Sequence, residues 1–527
     1  MKKNDSALTV RGTLLGVVGL AFITASSMYV ALKAGALPWP TVFVTVLSMT
    51  VLSKARNSSL EEINCTHTLM SAGSMVAGGL AFTIPGLWML SPDNEISLVS
   101  VMTASVVGAV LGTLFTSLYR PSLIEREKLP YPIGEASYMT LMTAKDTKSS
   151  PWLFTSLGLS GVFAFVRDFF GKIPTLINIY GGSALVPGLQ FYVSPMALSI
   201  GSIIGPVLAA FWVLGMVVGY FVLTPIGIRT GLFSSIGDAD SFRSSLGLGI
   251  MIGTGFAVAV KSVWNVIRNR RSGKIEVKNR KNVLVSLLLV VFSVIVLTLL
   301  TEMTLLESVL TVAGAAVATY LSSMLTGQTG INPMEVFAIL VLLAVHALCR
   351  TGLTASFTLA ATVAVACGLS GDVMNDFKSG SLVGTNPRDQ VRAEAIGGII
   401  GAVIATFVIF LMKDVFVFGS AEMPAPQAKA VAALSGGLEN PAAFWIGVGV
   451  GAVMFLFSLP SSAFGLGMYL GTYITVSVGV GALITWIIKK ISRTPETENR
   501  VNLVSSGLLG GEGTAGVIIA FITLFRG

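Results

Sequence analysis

Charge is what this sequence has least of. Of 527 residues, 34 are Lys or Arg and 26 are Asp or Glu, 11% together against 53% hydrophobic residues, whereas ordinary globular proteins carry about 25% charged residues. That shortage of solvating charge excludes a soluble fold. Cysteine and histidine are equally scarce, with three and two residues. Cys65, Cys349 and Cys367 lie scattered in or beside apolar stretches, which excludes a disulfide framework and a CxxC site. With only His67 and His346 there is no HExxH pair, and neither a GxSxG elbow nor a GxxxxGK[ST] phosphate loop occurs. SIGD (235–238) and LSGD (369–372) lack the first glycine of a membrane aspartyl protease signature. Enzymes of these classes are excluded, as is a pump that hydrolyses ATP through such a loop, so uphill work would draw on an ion gradient. No cofactor and no metal site is expected.

Long apolar runs are what the chain has in abundance. At about 20 residues per crossing, roughly 14 to 17 crossings would use about 280 to 340 residues and leave only short loops. We therefore expect an all-α polytopic membrane protein of about 16 transmembrane helices with broken or re-entrant segments. Runs of spanning length fall at 12–32, 37–53, 64–90, 98–119, 151–170, 283–301, 306–325, 334–349, 353–370, 394–413, 443–459 and 502–525. The start MKKNDSALTVR has no clear cleavage site after it and reads as leading into a retained first helix.

Charges assign the sides. With the basic N-terminus inside, Lys54 and Arg56, the group Arg120, Arg126, Lys128, Lys145 and Lys148, and the loop RNRRSGKIEVKNRK (268–281) all fall inside, while Asp93 and Glu95 fall outside. The net charge of +8 is thus a topology signal and not a nucleic-acid site. The piece from Leu129 to Ala144 opens with two prolines and has basic residues on both flanks, so it cannot simply cross and reads as re-entrant. Parity also requires the run 195–225 to cross twice, as short or broken helices with Gly201, Gly205 and Pro206 as break points, and the run 463–488 to contain a break.

An internal repeat is visible. SSLGLGIMIGTGF (244–256) and SSGLLGGEGTAGV (505–517) match at five of 13 positions, and each follows a long broken run opening at Pro195 or Pro460. Tyr29, Gly35 and Pro38 have counterparts in Tyr320, Gly327 and Pro333. The charge count gives the two halves opposite orientation, the inverted-repeat architecture of secondary transporters. Residues 1–270 form the first repeat, 271–303 the basic loop and an extra linking helix, and 304–527 the second repeat.

A charge buried in a bilayer costs at least about 2.5 kcal/mol, so each intramembrane acid needs a reason. Glu512 lies mid-run between Gly511 and Gly513, either as a proton carrier or as a neutral carboxyl hydrogen-bonded to a neighbouring helix. Glu135 follows the two prolines of LPYPIGEAS (129–137) and either binds a substrate amine or a proton, or caps its helix. Lys33, Lys261, Arg167, Asp168 and Arg350 lie near expected helix ends, where snorkelling to the interface is the ordinary role. His67 and His346 read as packed residues. Cys65 and His67, two apart, point to different sides of a helix and make a weak metal pair.

Three passages together resemble the oligopeptide transporter family, which includes the yellow stripe-like metal-chelate transporters. GDVMNDFKSGSLVGTNPRDQ (371–390) is similar to the family pattern at Gly371, Asp372, Asp376, Lys378, Gly380, Leu382, Val383, Gly384, Pro387 and Gln390, with Ser370 and Ser381 where the family usually has Pro and His. SAGSMVAGGLAFTIPGL (71–87), with Asn64 and Thr68, resembles the family segment ending Phe-Thr-Ile-Pro; His67 takes a usual Gln place. LPYPIGEAS resembles Leu-Pro-Tyr-Pro-Glu-Gly-Thr-Ala, with Ile133 in the acidic position and the acid displaced to Glu135. SGLLGGEGTAGV (506–517) also fits, with Glu512 in the matching acidic place.

The resemblance implies proton-coupled uptake of short peptides, or of metal complexes with peptide-like chelators, across the cytoplasmic (inner) membrane. It implies proton coupling at Glu512, Glu135 and Asp372, and substrate binding at Tyr131, Glu135, Asn386, Gln390, Ser71 and Tyr29. Expected partners are the solute, protons and the lipid bilayer, with a homodimer as an option. A permease subunit driven by a separate ATPase is the alternative from another class, and it would need a larger cytoplasmic docking surface than these loops offer.

Overall fold

In the computed structural model, residues 6–35, 44, 48, 52, 58–143, 150–183, 185–268, 280–329, 332, 334–436 and 440–524 are described. Most of the expected crossing at 37–53 and most of the basic loop 268–281 lie outside them. Among the described residues, eight helices are long and apolar enough to cross a membrane: Val10–Lys33, Leu60–Leu90, Leu98–Arg126, Pro195–Arg229, Leu305–Gly327, Leu353–Val383, Pro387–Val415 and Thr472–Ile491. Leu284–Leu300, Met334–Cys349 and Pro441–Leu456 are shorter apolar helices. The expected re-entrant piece is the 12-residue helix Pro132–Thr143, about 18 Å long and so too short to cross. One element departs from the all-α expectation. Leu176–Tyr180 and Leu189–Tyr192 pair antiparallel, because LINIY and LQFY are rich in the β-branched and aromatic residues that favour strands.

The chain forms two compact units, each drawn from separate stretches. The first comprises Met1–Ala31, Trp39–Ser150 and Ala259–Asp414, the second Leu32–Pro38, Pro151–Val258 and Val415–Gly527. At the centre of the first unit is the helix Leu353–Val383, buried without interruption from Thr354 to Phe377. Its small and apolar residues let neighbouring helices approach on all sides, as membrane helices with little hydrophobic driving force require. Thr358 and Thr362 donate to the carbonyls four residues back, at 2.8 and 2.9 Å, so these buried hydroxyls are satisfied within the helix.

In the second unit both expected breaks are present, although the first run forms a single candidate span, Pro195–Arg229, where two crossings were expected. The helix Pro195–Met216 starts at Ser194, whose hydroxyl accepts the Ala197 N–H at 3.1 Å, and is interrupted at Gly205 (φ 83°, ψ 170°) just before Pro206. The other run divides into Ser461–Tyr469 and Thr472–Ile491, with Leu470 and Gly471 extended between them (ψ 150° and 152°). Gly201, expected as a break, is instead helical and serves close packing. A Cβ on Gly201 would strike the carbonyl of Val478, one on Gly467 that of Trp212, one on Gly215 that of Phe464 and one on Gly481 that of Leu198. A shift of 266 residues, the separation of Gly201 from Gly467 and of Gly215 from Gly481, exchanges these four contacts among themselves. The same shift carries the break at Gly205 onto Gly471. The two runs therefore cross as an antiparallel pair with local two-fold symmetry, and they break at equivalent points.

Candidate functional site

Three helices of the first unit each present two residues four apart, and therefore on one face. Leu60–Ala81 supplies His67 and Ser71, Leu353–Val383 supplies Asp372 and Asp376, and Pro387–Val415 supplies Gln390 and Glu394. All six are buried. One carboxylate oxygen from each of Asp372, Asp376 and Glu394 lies within 4.8 Å of the other two. Ser71 donates to Asp376 Oδ2 at 3.0 Å, and His67 Nδ1 lies 3.5 Å from Asp376 Oδ1. The Gln390 amide donates to the Asp376 carbonyl at 2.7 Å, tying the 387–415 helix to the 353–383 helix one turn before Glu394. At an effective dielectric of about 20, two negative charges 4.8 Å apart repel by about 3.5 kcal/mol, so three carboxylates here call for positive charge in their midst.

Of the residues expected to bind substrate, Ser71 and Gln390 thus belong to this cluster. Tyr131 lies elsewhere in the same unit and is fully buried. Its hydroxyl donates to Ser323 O at 3.1 Å and its N–H to Gly327 O at 2.9 Å, which braces the turn before Pro132–Thr143. Gly134 N donates to Asn375 Oδ1 at 3.1 Å. Glu135 is about half exposed and pairs with Lys378 at 3.4 Å, while Lys378 also donates to Leu129 O at 3.3 Å. Asn386 is exposed and accepts the Arg388 N–H at 3.0 Å, capping the 387–415 helix. Tyr29 is buried in Val10–Ala34. His346 Nδ1 meets the Thr351 hydroxyl at 2.9 Å, but the residue is exposed near the end of Met334–Cys349, so it is hydrogen-bonded without being packed as expected.

Glu512 lies in the second unit, in a setting unlike either alternative read from the sequence. It is fully buried and forms an ion pair with Arg167 at 2.8 Å. Ser194 Oγ donates to it, 2.8 and 2.9 Å from its two oxygens, and Met196 N–H donates at 2.8 Å. Its carboxylate therefore sits at the positive end of the helix opened by Pro195. Arg167 is held by a π-helical turn, Phe165–Phe169, and also binds both oxygens of Asp168 at 2.6 Å and Val193 O at 2.7 Å. Snorkelling is overturned for Arg167, and also for Lys33, which is buried over the Tyr192 ring at 5.4 Å. The reason is that the bonds to Glu512, Asp168 and Val193 replace water for the guanidinium. Arg350 does end its helix exposed, and the Lys261 side chain lies outside the described residues.

Glu394, and His67 as a partner of acids, were missed by sequence reasoning, and Asp376 was noted only within a motif. The available signal was the i, i+4 spacing of Asp372 and Asp376 inside an apolar run, repeated by Gln390 and Glu394.

Residues 7–523 match the family model described as "OPT oligopeptide transporter protein". A Haemophilus influenzae protein named "Putative oligopeptide transporter" is 25% identical across 94% of this chain and 92% of its own. "Metal-nicotianamine transporter YSL2" of Arabidopsis thaliana is 30% identical across 28% of this chain and 27% of its own. "Metal-nicotianamine transporter YSL3" of the same plant is 42% identical across 11% of this chain and 10% of its own.

Proposed function

Because this chain belongs to the OPT oligopeptide transporter family, whose members are transporters and not enzymes, we propose that it is a proton-coupled secondary transporter importing short oligopeptides across the cytoplasmic membrane. The observation that carries the coupling is the trio Asp372, Asp376 and Glu394, whose oxygens lie within 4.8 Å of one another, buried between helices of spanning length. A membrane protein keeps such charge only for use, and the chain has no ATP-binding loop of its own. A proton gradient and a bound solute can both bias a seam whose charge changes with its occupancy. The peptide reading draws on the Haemophilus influenzae relative, similar over 94% of the chain. The half-exposed Glu135 beside Lys378 offers both charges that a zwitterionic peptide requires.

Transport of metal chelates is the second reading, favoured by the similarity to metal-nicotianamine transporters over 28% of the chain. For the architecture, we propose about 16 crossings arranged as inverted repeats at 1–270 and 304–527. Each compact unit draws on both halves, and the glycine contacts exchange under a single shift; both support that reading.

The test is uptake of labelled tri- to pentapeptides into proteoliposomes, with and without an imposed proton gradient and an uncoupler. Accumulation that collapses with the uncoupler is expected. Equal uptake without a gradient refutes proton coupling, and uptake of a metal chelate in place of peptide selects the second reading.

A further inference from the structure

The oxygens of the carboxylate cluster are unevenly provided for. Asp376 has Ser71 at one oxygen and the His67 ring at the other. Both oxygens of Glu394, fully buried, and Oδ2 of Asp372 have no hydrogen-bond partner among the described residues. A buried acceptor left unmet costs about 1–3 kcal/mol, more when charged, so Glu394, pointed into the cluster, marks the place of a donor that the described residues do not supply. Among the described residues, the titratable groups facing the two aspartates are His67 from Leu60–Ala81 and Glu394 from Pro387–Val415. Lys378, the one basic residue of Leu353–Val383, is engaged with Glu135 of Pro132–Thr143 and the Leu129 carbonyl.

We propose that Asp372, Asp376 and Glu394 form a single proton-binding site that holds two protons shared among three carboxyl groups in its loaded state. The inference rests on the proton-coupled reading and gives that coupling an address. Three carboxyls within 4.8 Å of one another form three repelling pairs. Two protons, each taken up by one carboxylate oxygen, leave a single carboxylate that accepts from the two new O–H groups, so no charge–charge repulsion remains. One negative charge remains, and at Asp376 it already has Ser71 and His67 beside it. Unloading returns both protons to water and restores three carboxylates. A hard divalent ion is the poorer occupant, because Ca2+ takes about six to eight oxygen ligands and, among the carboxylate oxygens of the cluster, only Asp372 Oδ2 and the two Glu394 oxygens are without a hydrogen-bond partner among the described residues. Glu512 is no part of this site, since Arg167, Ser194 and Met196 already meet its carboxylate.

The experiment reads protons without any peptide. The full-length protein in lipid nanodiscs is taken from acidic to alkaline buffer, recording the carbonyl stretch of protonated carboxyls by infrared difference spectroscopy and counting released protons with a pH indicator. E394Q and D372N should each weaken the band, and the triple variant D372N/D376N/E394Q should release two fewer protons than the wild type. E498Q, at an exposed carboxyl paired with Lys489, should leave the band unchanged. If the triple variant does not fold, folded E394Q alone decides by the loss or persistence of its band. An unchanged band and proton count overturn the proposal, as does saturable Ca2+ or Mn2+ binding to the wild type that E394Q abolishes. Gradient-independent peptide uptake with the band intact would instead sink the coupling reading and leave the site standing.

Discussion

Cutting the Glu512–Arg167 pair from either side gives the sharpest measure of what holds the second unit together. Removing one partner of a buried ion pair costs about 3–5 kcal/mol. In E512Q the guanidinium keeps Asp168 at 2.6 Å and Val193 O at 2.7 Å, which places the loss near the low end, about 3 kcal/mol. The new amide would turn N–H groups toward Arg167, Ser194 or Met196, all of which are donors to this carboxylate. R167M leaves the buried carboxylate with only the neutral donors Ser194, Met196 N–H and, at 3.4 Å, the Tyr192 hydroxyl, about 4 kcal/mol. The double variant loses the pair but strands neither charge, so its cost should fall short of the sum by about 2 kcal/mol or more. Unfolding of the full-length protein in mixed micelles, followed by tryptophan fluorescence, reads this directly. Trp212 is a suitable reporter because it is buried in the same unit, with Nε1 3.2 Å from the Thr475 hydroxyl. Additive losses within about 0.5 kcal/mol, or an E512Q protein as stable as wild type, would refute the account.

Further outcomes follow from single contacts. G205A should destabilise by about 1–3 kcal/mol, because φ 83° with ψ 170° is essentially glycine-only backbone; nothing lies within 4 Å of an added Cβ, so full stability in the unfolding assay would show that the break is not where we place it. G201A and G467A both drive a methyl into a backbone carbonyl and should cost about 1–3 kcal/mol each; a large loss in one with none in the other would contradict their equivalence. Y131F removes the hydroxyl that meets Ser323 O and should cost about 1 kcal/mol with little change in the KM for peptide. E135Q should raise that KM several-fold without altering stability, and an unchanged KM would remove Glu135 from the substrate path.

Membrane residence, the helical runs and their breaks are legible in the amino-acid chain alone. Apolar length and the scarcity of charge act locally, and Gly205-Pro206 carries its backbone consequence wherever it stands. The family pattern at 371–390 is likewise a local string. What could not be read were partnerships. Asp372 and Asp376 share a helix face by spacing alone, but Glu394 and His67 come from helices whose rotation and depth are set by packing. Glu512 looked like a lone acid in a glycine-flanked run, the place for a proton. Its partner Arg167 is 345 residues away in sequence, near an expected helix end where an exposed cation was the natural expectation.

Sequence by itself therefore determined which residues must leave water, where helices must bend, and which few acids would need an explanation. Tertiary structure alone decided the explanation for each, because a buried carboxylate's role depends on what stands within about 3 Å of its oxygens. Glu512 is surrounded by donors and an arginine, and becomes a brace. Asp372 and Glu394 face other carboxylates with too few donors to go round among the described residues, which is why we propose that protons bind there and not at Glu512.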